Sequence, residues 1–281
     1  MKDGDDTWRA REAAGRADVA REQALRQAQD MARLTEQLVE AQRLSRLKDE
    51  FLATVSHELR APLQAIVGWA YILKQAQLDP ATTRRALDTI IRSAEAQARL
   101  VGDLLEVSRI VAGKVRLERR EIDLAEPIEA AVEAARPGMD AKGVRLRVVI
   151  EPGGGRVFAD PYRLQQIVSN LLSNAVRFAP RGGLVEVRLS CSDAAAEITV
   201  EDDGPGIPPE FLPHVFEPFR QADPGLSSHP GLGLGLAIAR HLVELHGGRI
   251  EAENRRGAPG ALFRVRLPRG DAGTGTAERT D

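Results

Sequence analysis

The sequence predicts an α plus α/β protein, a long antiparallel helical hairpin followed by a sheet packed against helices. Two apolar stripes at helical spacing predict the hairpin, one reaching Leu73 and the next starting at Leu87. Beyond Glu118 the texture changes to short alternating strands separated by helical stretches, which predicts the α/β layer.

The first stripe begins in a segment, Asp5 to about Glu50, rich in Ala, Arg, Gln and Glu and free of proline, a composition that favours helix. Leu34, Leu38, Ala41, Leu44, Leu47, Phe51 and Val55 step by three or four and continue through Leu59, Leu63, Ile66, Ala70 and Leu73. One helix is therefore expected from about Leu34 to Lys74, its N-terminal part in a parallel coiled coil or, alternatively, a solvated single helix. Asp79 and Pro80 supply an N-cap and first-turn proline for a second helix ending near Lys114. It carries Leu87, Ile90, Ile91, Ala94, Val101, Leu104, Leu105 and Ser108. Two such helices have more apolar surface than they can bury on each other. A homodimer forming a four-helix bundle is the natural solution.

In the second region, strands are expected at Val144–Ile150, Leu184–Ser190, Glu197–Glu201, Arg249–Glu253 and Leu262–Leu267, with helices at Asp160–Ala179 and Gly233–His246. Pro218–Gly235, with many Gly, Pro and Ser residues, reads as a long mobile loop of the functional kind. The expected divisions are an N-terminal helical, coiled-coil segment at 1–43, the hairpin at 44–118, the α/β domain at 119–270 and a polar, disordered tail at 271–281.

The balance of 39 basic and 41 acidic residues gives a net charge of −2, so bulk electrostatics supplies no attraction to nucleic acid or an anionic membrane. Cys191 is the only cysteine, which excludes an intramolecular disulfide and fits a reducing compartment. No apolar run approaches the ~20 residues of a membrane helix, so no direct membrane insertion and a cytoplasmic location are expected.

Several groups of residues can carry chemistry. His57 lies two residues from both Val55 and Leu59, off the apolar stripe and toward solvent. Glu58 follows and can take the proton from one ring nitrogen, leaving the other as nucleophile; a solvated surface pair is the alternative. Pro62 cannot donate to the carbonyl of Glu58, so a kink or loosening is expected there. On the helix from Asp160, Leu164, Ile167, Leu171, Ala175 and Phe178 form the buried face, while Asn170, Asn174 and Arg177 share another. Amide oxygens suit magnesium and a guanidinium suits phosphate, although asparagine on an exposed face is also ordinary. Asp202-Asp203-Gly204-Pro205-Gly206 follows a strand and can aim a carboxylate at a base amino group, or be a plain acidic turn. Gly231, Gly233 and Gly235 open the last helix, as a phosphate cradle at its N-terminus or a simple hinge.

Taken in order, these segments resemble the conserved boxes of bacterial two-component sensor histidine kinases. Phe51 to Leu63 resembles the phosphoacceptor box, Asn170 to Phe178 the asparagine box, and Asp202 to Gly206 the first glycine box. Phe216 to Phe219 resembles the phenylalanine box and Gly231 to Gly235 the second glycine box, so that the likeness spans about residues 44 to 268. It implies a dimerisation and phosphotransfer hairpin followed by an α/β sandwich that binds ATP with Mg2+. It further implies that His57 is phosphorylated and passes the group to an aspartate in the receiver domain of a response regulator. Asn174, with Asn170 beside it, would hold the metal, Arg177 would reach the phosphates and Asp202 would read the adenine amino group. Gly204 and Gly206 would line the base, and Gly231, Gly233 and Gly235 would hinge a lid over ATP. An upstream sensor acting through the N-terminal helix is a possible further partner. Ala61 departs from the threonine or asparagine of many members, a position associated with dephosphorylating the partner. The rival readings are another ATPase of the same nucleotide-binding fold, which would lack the His57 hairpin, and a silent dimeric scaffold.

Overall fold

The computed structural model describes residues 55–76, 78–151, 156–222 and 232–269, together with Met31, Arg33 and Thr35. The chain divides into two compact units, Met1–His57 and Glu58–Asp281. In the first, residues 55–57 are helical and His57 is exposed. The expected coiled coil and tail lie outside the described residues, as do half of the expected loop segment, residues 223–231, and with it Gly231.

In the second unit, residues 58–75 form helix α1, which stays helical through Pro62. Helix α2 spans Pro80–Val111. It starts where the Asp79-Pro80 signal puts it: the Asp79 carboxylate accepts from the backbone N–H groups of Ala81 and Thr82 at 2.9 and 3.0 Å. Leu63, Val67, Tyr71, Leu87, Ile91, Val101 and Leu105 stay exposed, so an apolar strip remains on each helix.

The α/β part opens with strand β1 (Arg120–Asp123) and helix α3 (Ala125–Lys142). Strands β2 (Arg145–Ile150) and β3 (Arg156–Ala159), helix α4 (Pro161–Phe178) and strands β4 (Leu184–Cys191) and β5 (Ala195–Asp202) follow. A short 3-10 turn at Leu212–His214 precedes helix α5 (Gly235–Leu245), and β6 (Arg249–Asn254) and β7 (Ala261–Pro268) complete the domain. The main sheet has the order β2-β4-β5-β7-β6, in which only the β2–β4 pair is parallel; β1 and β3 form a separate antiparallel ribbon.

Alternation along the strands explains the sheet. Ala196, Ile198, Val200 and Asp202 of β5 and Ala261, Phe263, Val265 and Leu267 of β7 turn inward and are buried. The other face is wet and ionic: Glu197 lies opposite Arg266 in register and meets it at 2.7 Å, while Arg264 reaches Glu253 at 3.1 Å. Such pairs are worth little individually, typically about 0–1 kcal/mol, but they keep this face from needing a second layer.

Helix α4 is the centre of the core. Leu164, Ile167, Val168, Leu171, Leu172 and Ala175 are fully buried, and truncating one of the leucines to alanine would cost about 2–5 kcal/mol. Phe178 does not share that face as the spacing suggested. It is 44% exposed, and the Arg177 guanidinium lies 5.3 Å from its ring centre. The last turn of the helix carries Phe178 past the buried stripe.

Asp160 caps α4 and gathers neighbouring elements. Its Oδ1 accepts from the N–H groups of Tyr162 and Arg163 at 3.0 and 3.1 Å, and Oδ2 accepts from Glu118 N–H at 2.9 Å. Its own N–H donates to His246 Nε2 at 3.2 Å, tying the start of α4 to the end of α5.

Candidate functional site

The predicted residues of the α/β domain come together where α4, the end of β5 and the start of α5 meet. Asp202 is the last residue of β5, and its inward position in the alternation leaves it only 2% exposed. Oδ1 accepts from Gly204 N–H at 2.9 Å and, more weakly, from Ala261 N–H at 3.4 Å. Oδ2 is buried and has no hydrogen-bond partner among the described residues. Burial pushes this carboxyl group up from the usual range, against the two backbone bonds and Arg255, while Asp203 adds to the rise. An unsatisfied buried carboxylate oxygen is costly unless a ligand donor meets it.

Of the other atoms in that condition, Asp203 Oδ1, Arg264 Nε, Asn170 Nδ2 and Arg177 Nε, the last two lie on α4. Desolvation lowers the Arg177 pKa, with the Glu58 charge acting in the opposite direction. Asn174, one turn from Asn170, is half-buried.

Close approaches of the glycine segments complete the cradle. A Cβ on Gly235 would lie 3.7 Å from the Asn170 amide, so the start of α5 adjoins the asparagine row. A Cβ on Gly204 would come within 2.8 Å of the Phe178 carbonyl oxygen, so the segment after β5 lies on the end of α4. Gly233 has φ +65° and could not carry a side chain without meeting the Arg220 carbonyl at 2.7 Å. Phe219 N–H donates to the Gly233 carbonyl at 3.2 Å, which fastens the phenylalanine segment to the glycine segment. Phe216 stacks edge-on against core Phe263, with ring centres 6.3 Å apart.

His57 and Glu58 stand in helical backbone, His57 exposed and Glu58 half-buried. Ala61 and Gln64 are exposed on α1.

Two supporting residues, Lys142 and Asn254, escaped the sequence reading, and a third, Asp203, was named there only as part of its motif. Lys142, at the end of α3, donates to the carbonyls of Val176 and Arg177 at 2.8 and 2.7 Å and so holds the last turn of α4. Asp203 Oδ2 accepts from Leu184 N–H at 2.8 Å, pinning the start of β4. Asn254, at the end of β6, bonds both backbone groups of Ile207: its Oδ1 accepts from the N–H at 2.7 Å and its Nδ2 donates to the carbonyl at 2.8 Å.

Two family models match the chain. Residues 47–113 match the His Kinase A phospho-acceptor domain, and residues 159–271 match the histidine kinase-, DNA gyrase B- and HSP90-like ATPase. The chain is 40% identical over 232 residues to the histidine protein kinase DivJ of Caulobacter vibrioides, an alignment covering 82% of this chain and 39% of that protein. The chain thus spans about two fifths of the length of this curated relative. Among solved structures, full-length ShkA in complex with AMPPNP has a TM-score of 0.59 at 29% identity, covering 79% of this chain and 46% of that one. The histidine kinase ThkA in complex with the response regulator protein TrrA has a TM-score of 0.60 at 27% identity, covering 82% of this chain and 64% of that one.

Proposed function

The chain belongs to the two-component sensor histidine kinases, and on that premise we propose that it phosphorylates His57 from ATP and passes the phosphoryl group to a receiver-domain aspartate. The observation that carries the nucleotide part is that three of the five buried, unpartnered polar atoms among the described residues, Asp202 Oδ2, Asn170 Nδ2 and Arg177 Nε, belong to α4 and the end of β5. An acceptor at one place and donors at another match a molecule with an amino-bearing base and an anionic phosphate chain. Asp202 accepts from the adenine amino group, and Arg177 donates to phosphate oxygens. The side-chain oxygens of Asn174 and Asn170 suit Mg2+, a hard cation that neutralises phosphate charge. Gly233 and Gly235 present backbone N–H groups to the phosphates at the start of α5.

In the reaction an imidazole nitrogen of His57 attacks the terminal phosphorus of ATP. The new N–P bond forms as the bond to the bridging oxygen of ADP breaks, and the imidazole proton passes to Glu58. Attack by a receiver aspartate then breaks the N–P bond. The TrrA complex of ThkA supports that choice of partner. The exposed strips on α1 and α2 support a homodimer, a second copy covering Leu63 and Val67 on one helix and Leu87, Ile91 and Leu105 on the other. The use of ATP fits a cytoplasmic setting; among the described residues no helix is long and apolar enough to cross a membrane.

Incubation with labelled ATP and Mg2+ tests the reading. Acid-labile, alkali-stable label is expected in the wild type and absent in His57→Ala, which should bind ATP as before. Label retained in that variant, or acid-stable phosphoserine, would overturn the assignment.

A further inference from the structure

Asn254 lies outside every segment that carries the resemblance, yet its side chain forms a complete rung with the loop after Asp202. It ends β6 and pairs with Ala261 across the β6–β7 turn. Its amide accepts from and donates to the same residue, Ile207, at 2.7 and 2.8 Å, and this two-way bond fixes which side of the amide is oxygen. Ile207 closes the stretch that begins at Asp202.

The same turn touches the other end of that stretch. Ala261 N–H points at Asp202 Oδ1 at 3.4 Å. Gly260, with φ +130°, passes so close that a Cβ there would stand 1.9 Å from the Asp202 carbonyl oxygen. Between the two anchors, Gly206 has φ +82°, and a Cβ on it would meet Asn254 Oδ1 at 2.8 Å. Arg255 N–H donates to the Gly260 carbonyl at 3.0 Å, closing the turn on itself, and the Arg255 side chain pairs with Glu201. Asp202 to Ile207 is thus held at its start by the Gly260–Ala261 backbone and at its end by one side chain. The backbone anchor is common to any residue that fits. The side-chain anchor depends on Asn254 having both a donor and an acceptor.

We propose that Asn254 is a positioning residue for nucleotide-base recognition, holding the Gly204–Ile207 loop so that Asp202 Oδ2 faces the adenine amino group. The inference rests on the reading of Asp202 given above. Asn254 touches no substrate in this role; it acts through Ile207 and the loop. Alanine would leave the Ile207 N–H and carbonyl unpaired. Aspartate would keep the acceptor but set a second oxygen against the Ile207 carbonyl, so it should do no better than alanine.

The test uses the full chain and two probes, ATP and ribose 5′-triphosphate, which carries the sugar and phosphates without the base. Affinities are measured for the wild type, Asn254→Ala, Asn254→Asp and Asp202→Asn by competition against a fluorescent nucleotide. In Asn254→Ala and Asn254→Asp, ATP should bind about tenfold more weakly, roughly the factor carried by one net hydrogen bond, while ribose 5′-triphosphate stays within about twofold of the wild type. Equal weakening of both probes would mean general damage to the domain and would overturn the proposal. So would unchanged ATP affinity in both Asn254 variants while Asp202→Asn loses its base preference, an outcome that leaves the reading of Asp202 standing. If Asp202→Asn itself binds ATP as the wild type does, the base-reading role of Asp202 fails, and the proposal with it.

Discussion

Glu106 of α2 and Arg163 of α4 meet at 2.6 Å with their side chains only 9% and 14% exposed, a nearly buried ion pair joining the hairpin to the α/β domain. Gln166, one turn along α4, accepts from the same guanidinium nitrogen at 2.8 Å. The neighbouring Asp103 is held above the usual carboxyl range by burial, with Arg99 opposing and Glu106 reinforcing the shift.

Removing one partner of a buried pair leaves the other charge uncompensated, whereas exchanging the two restores charge balance. Glu106→Ala and Arg163→Ala should each increase amide hydrogen exchange in the second half of α2 and the first turn of α4. The exchanged pair, Glu106→Arg with Arg163→Glu, should recover part of that protection. A double-mutant cycle should give a coupling of about 1–3 kcal/mol. Additive effects with no coupling would show that the contact does not hold the two parts together.

Asp202 should trade stability for binding. Its carboxyl pKa is raised in the folded protein, chiefly by burial, so the folded state holds its proton more tightly than the unfolded chain does. The sign follows: stability is fullest below the unfolded pKa and declines as pH rises through the window up to the folded value. At neutral pH the buried charge is therefore a cost. Asp202→Asn removes the charge and keeps an oxygen for Gly204 N–H, so the nucleotide-free protein should melt a few degrees higher, on the order of 1 kcal/mol more stable. ATP should raise the melting point of the wild type and have little effect on the variant. A variant that melts lower without nucleotide would contradict this account of the Asp202 environment.

The parts of this fold legible in the sequence are those where one chemical contrast decides the structure. The main sheet has a wet face and a buried face, so β5 alternates residue by residue from Ala195 to Asp202 and announces itself. Helix α2 was legible from its Asp79-Pro80 start. Helix α3 has no counterpart among the expected elements: Pro137 and Gly138 sit inside it and blur its period, although Ile128, Ala131, Val132 and Met139 are buried. Strands β1 and β3 are four residues each and pair only with one another, too short for a period to show. Within the site, Asn170, Arg177 and Asp202 could be named from motif and spacing, and each contributes one of the unpartnered buried atoms. Lys142 and Asn254 could not, because their work is done through backbone groups far away in sequence, 34 and 35 residues for Lys142 and 47 for Asn254.

Ala61 bears on hydrolysis of the phosphorylated receiver. It follows His57 by four residues and is exposed, and its methyl group can neither donate to nor accept from an attacking water. Forward transfer to a receiver should proceed, while loss of phosphate from the receiver in the presence of the kinase should barely exceed the spontaneous rate. Ala61→Thr should accelerate that loss several-fold, and Gln64→Ala should leave the wild-type rate unchanged. Brisk dephosphorylation by the wild type that Ala61→Thr does not alter would defeat the prediction.

His246 should make the junction between α4 and α5 sensitive to acid. It caps α5 and is 6% exposed, with Nδ1 2.7 Å from the Leu242 carbonyl and Nε2 facing the Asp160 N–H. Only the neutral ring with its proton on Nδ1 satisfies both contacts, donating to the carbonyl and accepting from the amide. Burial is the largest influence lowering its pKa and Arg119 adds to it; the Leu242 bond and the Asp160 charge oppose. The folded protein therefore binds fewer protons here than the unfolded chain, so this contribution to stability is complete above the ordinary histidine value of 6.5 and is lost as pH falls toward the depressed folded pKa. Protonation would set a second N–H against the Asp160 amide, at the residue that also caps α4 and accepts from Glu118. Melting temperatures at about pH 7.5 and about pH 5.5 should fall further for the wild type than for His246→Gln, which has no proton to gain there. The variant should start lower at the higher pH, having lost the fitted ring. Other groups titrate in both proteins and cancel in the comparison, so an equal fall in the two would remove His246 from the acid response.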